Sequence, residues 1–225
     1  MRQRVLLVTI AFFLVITTLL FIPAGTVRWL AGWVFIAIFC GFNILVIRML
    51  ARTDPELLEE RMSPPIQRDQ PLWDRVLLSV LQLLFVPWLI LMALDAVRFG
   101  WSEVPVWLQV LGALGLMLSL YIIYLTFREN AYLAPVVKLQ EERGQRVVTT
   151  GPYRYVRHPM YSSALIFIPA TALLLGSWLG LLISPLLMAL FVLRTIFEDR
   201  MLKRDLEGYT EYSKTVNYRL IPHVW

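Results

Sequence analysis

One cysteine and two histidines are spread over 225 residues. That scarcity excludes a disulfide framework and a Cys/His metal pattern. The lone thiol, Cys40, lies inside an apolar run and reads as a small buried hydrophobe. There is no glycine-rich phosphate loop, and no serine or cysteine is paired with a base in a nucleophile pattern. Internal repeats and low-complexity segments are absent too, and the missing two-fold pattern weighs against a transporter. Charged residues make up only 16% of the chain, while apolar residues reach 58%. Soluble domains usually sit near 45–50% apolar.

The apolar excess is gathered into runs of about 18–22 residues, enough to cross a hydrocarbon core roughly 30 Å thick. Wherever the backbone meets lipid it must be helical. The pattern predicts an all-α integral membrane protein of about six spans: Val5–Ile22, Trp29–Leu50, Val76–Leu94, Val106–Phe127, Tyr161–Leu175 and Leu179–Phe197. The first run is too long for a signal-peptide core and lacks a cleavage site, so it reads as an uncleaved span. Pro87, Pro169 and Pro185 are candidate kinks. Asp54-Pro55-Glu56 and Ser63-Pro64-Pro65 break the second loop. Gly176-Ser177-Trp178 closes the last two spans into a tight helical hairpin. Residues 1–127 then form four N-terminal spans, and residues 128–225 form a loop, hairpin and tail.

The formal charge is +5 and the pI is near 9.6. Nucleic acid is not needed to explain it. Nineteen of the 21 Lys and Arg fall at the N-terminus, in the second and fourth loops and in the tail, leaving Arg28 and Arg98 elsewhere. The positive-inside rule then puts both termini and those two loops in the cytoplasm. Trp29, Trp73, Trp101, Trp107 and Trp178 sit near span ends, as an aromatic belt does. The setting expected is a bacterial plasma membrane.

Unusual chemistry concentrates in residues 151–161, Gly-Pro-Tyr-Arg-Tyr-Val-Arg-His-Pro-Met-Tyr. A β-prone run, Val147-Val148-Thr149, meets a Gly-Pro bend there, and Pro152 biases Gly151 towards an extended backbone. Pro159 suits a first helical position. A helix N-terminus beside His158 offers free N–H groups to an anion. Arg154 and Arg157 also read as inside-facing anchors. On the last span, Arg194 and Glu198 stand at i and i+4 and share a face, either as a simple ion pair or as costly, functional groups at the membrane edge. Asp199 points to another face. Glu129 and Asn130 end span four close to the same level. This inventory suits a reaction that needs positioning more than covalent catalysis. Methyl transfer from a sulfonium is one, because aromatic faces favour its positive charge. An arginine can hold a carboxylate acceptor.

Val147-Val148-Thr149-x-Gly151-x-Tyr153, Arg157-His158-Pro159-x-Tyr161, Arg194-x-x-x-Glu198, Tyr209-x-x-Tyr212 and Arg219-x-x-Pro222 together resemble the isoprenylcysteine carboxyl methyltransferase family. That family shares its core with the phospholipid N-methyltransferases. The resemblance covers about Arg128 to Trp225. It implies S-adenosylmethionine bound on the cytoplasmic side by Val147, Val148, Tyr153, His158, Pro159, Met160, Tyr161 and Glu198. It implies that Arg194 binds the acceptor carboxylate and that a hydrophobic or lipid-like substrate enters from the bilayer. Prenylated cysteine is the leading acceptor, with a lipid amine or a small thiol as alternatives. No metal and no nucleic-acid partner is implied, and the oligomeric state is left open. Ser162 and Ser163 depart mildly from the small residue, often Gly, usual after the Arg-His-Pro-x-Tyr segment, whereas Glu198-Asp199 keeps the family's acidic pair. Two readings of other classes compete: a small transporter lined by Arg194, Glu198 and His158, and a non-catalytic membrane protein.

Overall fold

The computed structural model describes residues 2–64, 66–67 and 69–225. Pro65 and Arg68 lie outside the described residues, as do the side chains of Arg2 and Arg4, so their parts in the second-loop break and the cationic anchoring are not addressed. Every regular element among the described residues is helical. The helices are α1 (Arg2–Ala24), α2 (Leu30–Thr53), α3 (Pro55–Arg61), α4 (Leu72–Ala93), α5 (Val106–Glu129), α6 (Pro159–Leu175), α7 (Trp178–Asp205) and α8 (Tyr209–Thr215).

Five of these are long and apolar enough to cross a membrane: α1, α2, α4 with the turn that extends it, α5 and α7. The chain is a multi-pass integral membrane protein. The sixth apolar helix, α6, has 17 residues. At 1.5 Å per residue that is roughly 25 Å, slightly longer than the predicted Tyr161–Leu175 and at the lower edge of a membrane span. In contrast, α7 has 28 residues, or roughly 42 Å, and overshoots a hydrocarbon core. The excess length falls at its polar end, which holds Glu198, Asp199 and the basic last turn of Lys203 and Arg204. Helices α4, α6 and α7 continue through Pro87, Pro169 and Pro185.

The second loop is more ordered than its breakers suggest. Asp54 ends α2, and its carboxylate accepts from the Leu57 N–H at 2.9 Å, which starts α3 with Pro55 in the first turn. Leu57 and Leu58 are then buried against Val46, Leu50 and Phe127. The main core lies between α1, α2, α4, α5, α6 and α7. Trp88 is buried there, and its indole N–H donates to the Gly180 carbonyl at 2.8 Å. Helices α5 and α6 approach closely because Gly112 has no side chain. A Cβ there would lie 2.4 Å from the Leu174 backbone nitrogen.

At the end of the bundle away from the fourth loop, α4 widens into a π-helical turn, Leu94–Arg98. The buried Asp95 in that turn accepts from the Ser102 and Ser177 hydroxyls, each at 2.6 Å, and so staples the α6–α7 joint. Gly176 makes that joint in the left-handed region, at φ +81°. Cys40 is only half-buried on α2 instead of fully buried.

Candidate functional site

The polar segment between α5 and α6 forms no strand. Val147–Thr149 runs as an irregular loop into a 3-10 turn, Gly151–Arg154. Gly151 is not extended, as Pro152 led us to expect, but left-handed at φ +57°. A Cβ at this position would also sit 2.4 Å from the Cγ of Glu129, so the bend needs glycine on both counts. The Glu129 carboxylate accepts from the Thr150 hydroxyl and so caps the bend instead of facing the interior.

Pro159 does open α6, with His158 just before it. The free N–H groups expected at that helix end are mostly taken. Arg157 and His158 donate their backbone N–H to Tyr218 and Arg219 of the tail, both at 3.0 Å, and Tyr161 donates to the His158 carbonyl. The Ser162 hydroxyl adds a bond to the Leu220 carbonyl at 2.6 Å. The tail is therefore fastened across the start of α6.

Behind this junction lies Asp199, 1% exposed. It accepts from Arg157 Nε at 2.8 Å, Tyr209 Oη at 3.0 Å and Arg219 Nε at 3.1 Å. His158 Nε2 stands 3.3 Å away. The tyrosine spends its hydrogen on Asp199, so the arrangement suits a proton on His158 Nε2. Nδ1 then faces Glu198 Oε1 at 4.0 Å. Burial opposes charge on Arg157, but its bonds to Asp199 outweigh that and raise its pKa above the ordinary value. Burial, followed by the Asp199 charge, pushes the Tyr209 phenol well above its usual range, so it stays a neutral donor. Asp199 is thus the hub that joins loop, helix and tail, a role its position on a separate helix face did not reveal.

Glu198, one residue earlier, points the other way. Its carboxylate accepts from the Tyr161 hydroxyl. Arg194 does not pair with Glu198, so the simple i,i+4 ion pair is excluded. Its Nε donates instead to Asp74 at 2.7 Å, and its Nη2 reaches the Pro135 carbonyl at 3.3 Å. Asp74, on the first turn of α4, is fully buried and also accepts from the Val137 N–H and the Gln70 amide. The Arg194 guanidinium lies 5.4 Å from the centre of the Tyr161 ring, and His158 stacks near that ring at 5.8 Å and 13°. A residue 120 positions from Arg194 therefore sets where its charge points.

All nine residues singled out in the sequence line one cavity of about 790 Å³: Val147, Val148, Tyr153, His158, Pro159, Met160, Tyr161, Arg194 and Glu198. Asn130 joins them, donating to the Tyr153 hydroxyl at 2.7 Å, while Glu129 does not line the cavity. At one end the walls are polar and aromatic, with Tyr153, Tyr209 and Tyr212. At the other they are Phe12, Phe13, Phe39, Phe42 and Phe85 from α1, α2 and α4. Phe12 and Val86, both on this wall, are 41% and 40% exposed, so the apolar end reaches the outer surface of the bundle. A sulfonium nucleoside fits the polar end. Glu198 is the only carboxylate lining the cavity among the described residues, it is bonded to a tyrosine hydroxyl, and several aromatic faces surround it. No cluster of three His, Cys, Asp or Glu side chains suited to a metal occurs among the described residues.

Residues 107–207 match the family model for phospholipid methyltransferase. The match runs from the first turn of α5 to just past α7, so it holds His158, Arg194 and Glu198 and leaves out α1 to α4 and most of the tail. No curated protein matches the chain.

Proposed function

We propose that this chain is an S-adenosylmethionine-dependent methyltransferase acting on a hydrophobic, lipid-like acceptor. One observation carries the reading: a single cavity joins an aromatic, Glu198-bearing end to a phenylalanine-lined end that reaches the outer face of the bundle. A soluble donor and an acceptor drawn from the bilayer can meet only in a space of this kind. The family match over residues 107–207 supports the reaction class. The clustering of cationic residues favours a cytoplasmic polar end, on the side where the donor is available.

When bound, the donor supplies an electrophilic methyl group on a sulfonium. The chain's own residues do the positioning. Tyr153, Tyr209 and Tyr212 offer faces to the donor's ring and cation, and Glu198 complements its charge. Tyr161 fixes Glu198, and the Asp199 hub fixes His158 beside it. Arg194, aimed by Asp74, directs a guanidinium at the acceptor. With a carboxylate acceptor no base is required, and prenylated cysteine is the reading that Arg194 favours. The phospholipid methyltransferase match favours a lipid amine instead. Both acceptors belong in the assay: purified protein, donor carrying an isotopically labelled methyl, a prenyl thioether carboxylate or phosphatidylethanolamine, and mass spectrometry of the products. Label should appear in one of the two and vanish with Glu198→Gln. Absence of donor binding by calorimetry in the wild-type protein would sink the proposal.

A further inference from the structure

The charges lining the cavity do not balance. Arg194 is matched by Asp74, Arg157 by Asp199, and Lys138 by Glu60 at 3.0 Å. Arg61, the last residue of α3, also lines the cavity, yet among the described residues it has neither a carboxylate within 4.0 Å nor a hydrogen-bond acceptor. Its neighbour Glu60 is turned away, held by Lys138 and by the Gln67 amide at 3.1 Å. The Arg61 guanidinium rests instead over Phe127, 5.1 Å from the ring centre.

Around Arg61 the walls are apolar: Val46 and Leu50 from α2, Leu57 and Leu58 from α3, and Met160 from α6 form the same cluster as Phe127. Burial first, and then the positive charge of Arg194, pull its pKa down to about 10. It remains a cation at neutral pH, and the Glu60 carboxylate acts on it only from a distance, without an ion pair. An arginine so placed offers a planar fork of donors suited to a carboxylate or a phosphate. Its apolar surroundings at the membrane ends of α2 and α5 suit the chain attached to such a group.

We infer that Arg61 docks the anionic headgroup of the acceptor, so that the acceptor is an anionic amphiphile carrying a carboxylate or a phosphate. The inference rests on the methyltransferase reading for the chemistry after docking, but not for docking itself. Arg61 lies outside the segment that matches the family model. Arg146 also lines the cavity without an ion-pair partner among the described residues, but it is exposed, on the loop that carries Val147 and Val148, and so stands on the donor's side.

The test uses the full chain in phosphatidylcholine nanodiscs, without donor. Pyrene-labelled fatty acid, the matching alkyl phosphate and the neutral methyl ester serve as probes. Wild-type protein should bind one or both acids at least tenfold tighter than the ester, and the tighter of the two identifies the headgroup. R61Q should bring the acids to the level of the ester, R61K should recover most of the difference, and donor affinity by calorimetry should stay within twofold. Equal binding of acid and ester by the wild type overturns the inference whether or not R61Q folds. So does a tenfold loss of donor affinity in R61Q with acid binding intact, which would give Arg61 to the donor's own carboxylate. Anion binding that depends on Arg61 in a protein that transfers no methyl group would leave this inference standing and remove the methyltransferase reading alone.

Discussion

Glu198 and Asp199 show how far neighbouring residues can diverge in role. One residue of α-helix turns the side chain by about 100°. Glu198 therefore lines the cavity while Asp199 is buried among Arg157, His158, Tyr209 and Arg219. Glu198→Gln should weaken donor binding at least tenfold in calorimetry and leave the melting temperature nearly unchanged. Asp199→Ala should act on the fold, because it strands buried Arg157 without a counter-charge, at a cost of about 3–5 kcal/mol. Thermal unfolding in detergent should show that loss directly. Asp74→Ala should behave alike for Arg194, with the melting temperature and methyl transfer falling together. Arg194 and Glu198 were legible in the sequence because ionisable groups at a membrane edge stand out against apolar neighbours. Asp74 and Asp199 were not, since their partners lie 120 and up to 42 positions away. Spacing along one helix says nothing about such partners.

Between elements, close approach is set by what is missing. The glycine at position 112 lets α5 lie against the backbone of α6 near Ala170 and Leu174. Gly112→Ala should push the two helices apart and cost about 1–3 kcal/mol, read as a lower melting temperature. Gly151→Ala meets both a left-handed backbone and the Glu129 side chain. It should lower donor affinity, because this bend carries Tyr153 into the cavity. The α3 segment is tied to the fourth loop by Glu60 and Lys138. Burial opposes charge on Glu60, but hydrogen bonds from Lys138 and Gln67 outweigh it and lower its pKa below the ordinary 4.5. Its stabilisation is therefore present at neutral pH and is lost as pH falls through that lowered value. Wild type should melt above Glu60→Gln at pH 7, and the gap should close as the pH is taken below 4.5. The apolar periodicity and helix starts of these elements could be read from sequence. The Asp54 cap ahead of Pro55 is such a start signal for α3, whereas its burial against distant Phe127 could not be read.

For the molecule as a whole, composition and run length were enough to identify a helical membrane protein, because lipid leaves the backbone few choices. They marked Tyr161–Leu175 as the shortest run, and the structure pairs it with an α7 that continues past Phe197 to Asp205. Hydropathy does not show that extension, since the last turns of α7 are polar and charged. The cavity's phenylalanine-lined end, with Phe12 and Val86 on the outer face, has a kinetic consequence. Under the proposed methyltransferase function, the acceptor's effective concentration is its mole fraction in the bilayer, while the donor's is set by bulk solution. Adding inert phosphatidylcholine at fixed total acceptor should slow turnover by surface dilution, and no amount of extra donor should restore it.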